Sequence, residues 1–165
     1  MNLTPNELLT TTRSVRKRLD LKRAVEREVI EECLAVAQQA PTASNMQNWH
    51  FLMITDSTKR ARLSELYRKG WEIYSKLPTS ASSAKYEDAA RMATQARVAS
   101  SAKFLADHLH EVPVHVIPCI DGRTDNQPTV FQSAQWGTIA PACWSFILAA
   151  RTRGLGAVWT CMHLY

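Results

Sequence analysis

The stretch Thr129–Gly154, TVFQSAQWGTIAPACWSFILAARTRG, constrains the fold more than any other. It reads as a helix over most of its length, and near its end it is apolar on nearly every side. Such a helix is at home in the centre of a packed chain rather than on its surface. Pro141 is expected to kink it and Gly154 to close it. A chain of 165 residues is long enough to build one domain with a real core around it. The 45% hydrophobic and 21% charged residues are an ordinary globular balance, not a disordered one. There is no run of about 18 apolar residues to span a membrane. The opening MNLTPNELL lacks the charged and apolar regions of a signal peptide. The expected compartment is the cytoplasm.

The rest of the chain supplies the layers. TPNELLTTT reads as a short helix, with Thr4 as N-cap and Pro5 at its first position. VEREVIEECLAVAQQA places Val29, Ile30, Cys33, Leu34 and Ala37 on one helical face, and Pro41 ends that helix. WHFLMIT is strand-like, with Asp56 or Ser57 capping the next helix. That helix, TKRARLSELYRKGWEIYSKL, is amphipathic through Leu63, Leu66, Tyr67, Trp71 and Tyr74. The helical segment after it has only small apolar residues and is expected to be the most mobile. VPVHVIPCI reads as a buried strand and LGAVWTCMHLY as a final one. The order α-α-β-α-α-β-α-β, without repeats or a dividing linker, implies a single domain over 1–165 in which helices surround a sheet. The chain stops at Tyr165 inside or just after an apolar run, which reads either as a buried terminal strand or as a truncation of something longer.

The net charge of +5 suits anionic partners, and much of it is concentrated in RSVRKRLDLKR, Arg13–Arg23. There Arg13, Ser14 and Arg16 have the chemistry to hold a phosphate from several sides, since the guanidinium fork matches phosphate oxygens. A nucleic-acid arm and a solvated basic turn are the other readings. APTASNMQNWHF carries Thr42, Ser44, Asn45, Gln47 and Asn48 in one connector. Turn chemistry accounts for Pro41 and one polar residue. Five polar residues are harder to place, because a buried amide must be paired. They also form the mixed donor and acceptor edge that a heteroaromatic ring requires. In GLGAVWT, Gly154 and Gly156 permit close backbone approach or simply a helix stop. They open a strand, so a dinucleotide-binding glycine fingerprint is not indicated. His108 and His110 are two apart and do not share a helical face, so no metal site is expected. The four cysteines form no C-x-x-C pair and read as free thiols. No hydrolase or nucleotide-triphosphate motif occurs.

RSVRKR, then APTASNMQNWHFLMITD, then AARTRGLGAVWT, in that order, resemble the nitroreductase family, most strongly over residues 13–56 and 131–162. The resemblance implies an α+β fold, a three-layer α/β/α sandwich with a mixed or antiparallel central sheet surrounded by helices. It implies an FMN-dependent oxidoreductase that moves hydride from NADPH or NADH through flavin N5 to an electron-poor acceptor such as a nitroaromatic or quinone. The alternative is a non-catalytic flavin or anionic-ligand binding protein. By the same resemblance, Arg13, Ser14, Val15 and Arg16 would hold the FMN phosphate and ribityl chain. Pro41, Thr42, Ala43, Ser44, Asn45 and Gln47 would line the flavin of a partner subunit in a homodimer. Trp159, Thr160 and Cys161 would pass the reactive edge of the ring, with the Cys161 backbone near N5 and no catalytic side chain required. Residues 70–105 resemble the family's variable lid. No nucleic-acid or membrane partner and no metal are implied. Thr12 stands where many members carry a basic residue and Asn48 where many carry proline. The C-terminal arm of the family is missing, which makes a truncated, inactive member the content of the alternative.

Overall fold

The structure, a computed structural model, describes residues 2–165. The chain clusters into two compact units, each assembled from three separate stretches. The first comprises residues up to Ser14, Ala24–Ile54 and Val114–Ala157. It holds α1 (Pro5–Thr11), α2 (Arg27–Ala37), β1 (Trp49–Ile54) and β2 (His115–Ile120). The long helix, Thr129–Thr152, also belongs to it and is called α5. The second unit comprises Val15–Arg23, Thr55–Pro113 and Val158–Tyr165. Its helices are α3 (Ser57–Tyr74) and α4 (Ala89–His108), with short 3-10 turns at Leu109–Glu111 and Met162–Leu164.

In the first unit, local chemistry sets the helix ends. The Thr4 hydroxyl accepts from the Glu7 N–H at 3.2 Å, and the Glu7 carboxylate accepts from the Thr4 N–H at 2.8 Å. This is a reciprocal capping box with Pro5 at the first helical position. That backbone bond from Thr4 holds the Glu7 carboxyl below its ordinary value. α2 buries Ile30, Cys33 and Ala37 and stops at Ala37, before Pro41 is reached. It packs on α5, where Cys33 meets Ala149 and Ala150 with Phe146 and Leu155 alongside. At the end of α5, the Leu155 N–H donates to Ala150 and the Gly154 N–H to Arg151, at 2.9 and 3.0 Å. Gly154 takes φ 79°, the left-handed cap that this bond pair needs.

β1 and β2 pair antiparallel, from Trp49 opposite Ile120 to Ile54 opposite His115. Trp49, Phe51 and Ile120 pack against Ile139, Ala142 and Cys143 of α5. Burial pushes the Cys143 thiol up to about 11. Three expectations are corrected here. β2 is half-buried along its whole length rather than fully buried, because a two-stranded sheet covers only one face. The segment Leu155–Cys161 has no regular secondary structure; among the described residues the sheet ladder pairs β1 with β2 alone. α5 is not enclosed on all sides, since Trp136 is 65% and Trp144 41% exposed.

In the second unit, α3 starts at Asp56, whose carboxylate accepts from the Lys59 N–H at 2.8 Å. Its buried face is Ser64, Tyr67 and Gly70, whereas Leu66 from the expected stripe is exposed. Close approach explains why small residues are buried here in place of large ones. A Cβ on Gly70 would lie 1.9 Å from the carbonyl oxygen of Met162, so the C-terminal turn rests directly on the α3 backbone. Tyr67, Leu105 and Ala106 form the unit's core, with Trp71, Leu109, Val112, Val158 and Met162 packed around it. Arg60 donates to the carbonyls of His110 and Val112, each at 2.8 Å, and so ties the loop after α4 to α3. α4 buries only Leu105 and Ala106, in keeping with its weak face.

Candidate functional site

The candidate residues fall into two groups, one in each unit. In the first unit, Arg13 and Ser14 follow α1 directly and are exposed. Arg13 Nη1 donates to the carbonyl of Thr12 at 2.7 Å, leaving its other N–H groups for a ligand. Arg151 of α5 reaches the same place. Its guanidinium donates to the hydroxyls of Thr12 at 2.8 Å and Thr11 at 2.6 Å. Thr12 is buried, and its hydroxyl accepts from this arginine. Sequence reasoning missed Arg151. Its only signal was a cation one turn before the GLG turn.

The connector after α2 is strained in a defined way. Ser44, Asn45 and Gln47 have φ of 51°, 54° and 50°, left-handed values that Asn tolerates and the other two rarely adopt. Three bonds hold the conformation. The Ala43 N–H donates to the buried Thr138 hydroxyl at 3.0 Å, and the Gln47 N–H to the Thr42 hydroxyl at 3.2 Å. The Gln47 amide donates to Asn45 at 2.8 Å. Pro41, Ser44, Asn45 and Gln47 are exposed, and Thr42 and Ala43 half-buried. The polar run is therefore not buried; its members pair with one another at the surface. Left-handed non-glycine residues concentrate where surrounding structure over-determines them, as at ligand-binding loops.

In the second unit, Val15 and Arg16 are half-buried, as is Thr160, while Trp159 and Cys161 are exposed. Tyr67 is joined to one of these candidate positions by a hydrogen bond. Its hydroxyl lies 2.9 Å from the Thr160 hydroxyl, in a part-buried bond. Burial raises the Tyr67 phenol above its ordinary value, while the Thr160 bond and the charge of Arg16 act against that rise. Cys161 is also within electrostatic reach. The C-terminal segment thus bonds to this tyrosine, and the basic segment acts on it through charge. In the sequence this residue counted only as part of an apolar stripe. Of the histidines that drew attention, His108 stacks on Phe104 and, with His110, faces Glu111. Asp107 pairs with Lys103.

This arrangement is an α+β scaffold whose helix-rich units present polar loops and a basic segment. Similar folds are found in solved proteins. A BluB-like flavoprotein from Clostridium difficile 630 aligns over 99% of this chain and 76% of its own, with TM-score 0.67 and 20% identity. Oxidized iodotyrosine deiodinase, solved bound to FMN and 3-iodo-L-tyrosine, aligns over 93% of this chain and 73% of its own, with TM-score 0.66 and 19% identity. The chain belongs to the Nitroreductase family, which it matches over residues 9–165. A curated relative from Methanothermobacter thermautotrophicus, a putative NADH dehydrogenase/NAD(P)H nitroreductase, is 27% identical over 154 residues. That match takes in 93% of this chain but 59% of the relative's length. No helix among the described residues is long and apolar enough to cross a membrane.

Proposed function

We propose that the chain is an FMN-dependent oxidoreductase domain, residues 1–165, that works in a homodimer. It passes hydride from NADPH or NADH to an electron-poor acceptor such as a nitroaromatic or quinone. The observation that carries this reading is the 2.9 Å bond between Tyr67 of α3 and Thr160 of the C-terminal segment, with the charge of Arg16 acting on the same phenol. The donor set suits a phosphate monoester. Arg13 keeps unused N–H groups, Ser14 is exposed, and Arg16 offers a second guanidinium. When bound, FMN would supply the two-electron chemistry at N5.

The chain's own residues then bind, orient and shield. Arg13, Ser14, Val15 and Arg16 hold the phosphate end. Pro41, Thr42, Ala43, Ser44, Asn45 and Gln47 present the partner's ring with a fixed, pre-organised polar edge. Trp159, Thr160 and Cys161 would line the reactive edge, with the Cys161 N–H rather than its sulfur as the donor. The homodimer draws support from α5, where the large apolar side chains of Val130, Phe131, Trp136 and Trp144 remain exposed. Aromatic residues of this kind are enriched at interface cores.

FMN titration followed by flavin fluorescence tests the assignment. Arg13→Ala removes a charge-assisted bond of about 1.5–3 kcal/mol and raises Kd by about 10–100-fold. An unchanged Kd would show that the phosphate does not bind there.

A further inference from the structure

The second unit contains an open pocket of about 410 Å³ that holds none of the flavin-binding candidates. It is lined by Trp71 and Ser75 of α3, by Ser82, and by Ala99, Ser100 and Lys103 of α4. That volume lies in the range of small-molecule sites, and the lining joins one aromatic wall to several hydroxyls. A cation arrives from a distant part of the sequence. Lys17 Nζ donates to the Ser100 hydroxyl at 2.7 Å.

The charges differ in availability. Lys103 is already neutralised by Asp107 at 2.7 Å, one turn further along α4. Lys17 pairs with no carboxylate among the described residues, and a hydroxyl takes only one of its three N–H groups. The wider field has the same sign. The second unit carries 15 Lys and Arg against 8 Asp and Glu, whereas the first has 5 against 7. The chain's whole positive excess therefore belongs to the unit that holds the cavity, and it favours entry of anions.

We propose that this cavity binds a small aromatic monoanion, an aryl carboxylate or phenolate. The ring lies against Trp71, and the anionic oxygen takes up the Lys17 ammonium and the hydroxyl of Ser100. Lys17 is the recognition residue and Lys103, held by Asp107, frames the mouth. The pocket's lining falls within residues 70–105, the stretch that resembles the family's variable lid, and binding there is tested without flavin.

The test uses the full chain, 15N-labelled, with the Trp71 indole N–H signal assigned by Trp71→Phe. Benzoate is the probe, benzyl alcohol its neutral analogue and acetate the anion without a ring. Benzoate is expected to shift the Trp71 indole signal saturably, and benzyl alcohol and acetate to bind at least tenfold more weakly. Lys17→Gln is expected to weaken benzoate at least tenfold, and Ser100→Ala by a smaller factor. Raising salt from 50 to 200 mM should weaken benzoate and leave benzyl alcohol unchanged. Equal binding of benzoate and benzyl alcohol, full affinity in a folded Lys17→Gln protein, or a Trp71 signal that benzoate does not move would each overturn the proposal.

Discussion

Gly70→Ala decides whether the C-terminal turn rests on α3. Two opposing effects set the sign. Alanine is the better helix former by about 1 kcal/mol, so in an open helix the change stabilises. Here the new Cβ would meet the Met162 carbonyl oxygen at 1.9 Å, its carbon at 2.9 Å and Tyr165 Cβ at 3.2 Å. Ordinary C···O contacts begin at about 3.3 Å, so the turn must retreat by about 1.4 Å. The obstacle is backbone, which cannot swing aside as a side chain can. The Tyr67–Thr160 bond, 2.9 Å long and two residues from Met162, would be stretched beyond bonding range. Overpacking costs about 1–3 kcal/mol and the lost bond about 1. After the propensity gain, the net loss is about 1–3 kcal/mol. For a chain of this size that lowers Tm by about 2–12 °C. Thermal unfolding of the two proteins measures the shift, and hydrogen exchange over residues 158–165 locates it. A rise in Tm of a few degrees, with exchange unchanged, would refute the docking and with it the reason α3 buries small residues.

Thiol reactivity should follow burial: Cys161, which is exposed, reacts first with a maleimide. Cys33 and Cys143, buried and with thiols raised by desolvation, remain unmodified until the protein unfolds; rapid labelling of Cys143 in the folded chain would contradict the packing of α5 on the sheet. Burial lowers the His163 pKa below its ordinary 6.5, so the unfolded chain binds the proton first and stability falls as pH drops below about 6.5. Urea unfolding at pH 7 and pH 5 should show this loss, and His163→Gln should remove part of it; identical pH dependence in both proteins would exclude His163 as its source. Sedimentation should find a dimer that Trp136→Lys converts to monomer, because the exposed α5 face would then carry a charge. A dimer that survives this substitution places the interface elsewhere.

Local signals were the legible part of this chain. Thr4 with Glu7, Asp56 before α3 and Gly154 after α5 act through neighbours a few residues away, and each ends a helix where its chemistry requires. The two strands were legible as short apolar runs, since β1 and β2 need no special geometry to pair. What escaped was long-range. LGAVWTCMHLY has the composition of a strand, but a strand also needs an edge to join, and composition does not supply one. Gly70 carries no hydrophobic signal; its value lies in letting the C-terminal turn approach, which shows only once the turn is in place. Arg151 bonds to threonines some 140 residues away, and Tyr67 to Thr160 across 93. No periodicity encodes such pairs. The connector at residues 41–48 lay between these cases. Its polar excess was visible, while the three left-handed residues that fix its shape were not, because none is glycine.

Anaerobic spectroscopy of the purified chain reconstituted with FMN decides whether it performs flavin chemistry. The expected result is a yellow protein whose bound-flavin absorbance bleaches on addition of NADPH or NADH and returns when a quinone is added. A chain that retains no FMN, or one whose bound flavin neither nicotinamide reduces, would contradict it.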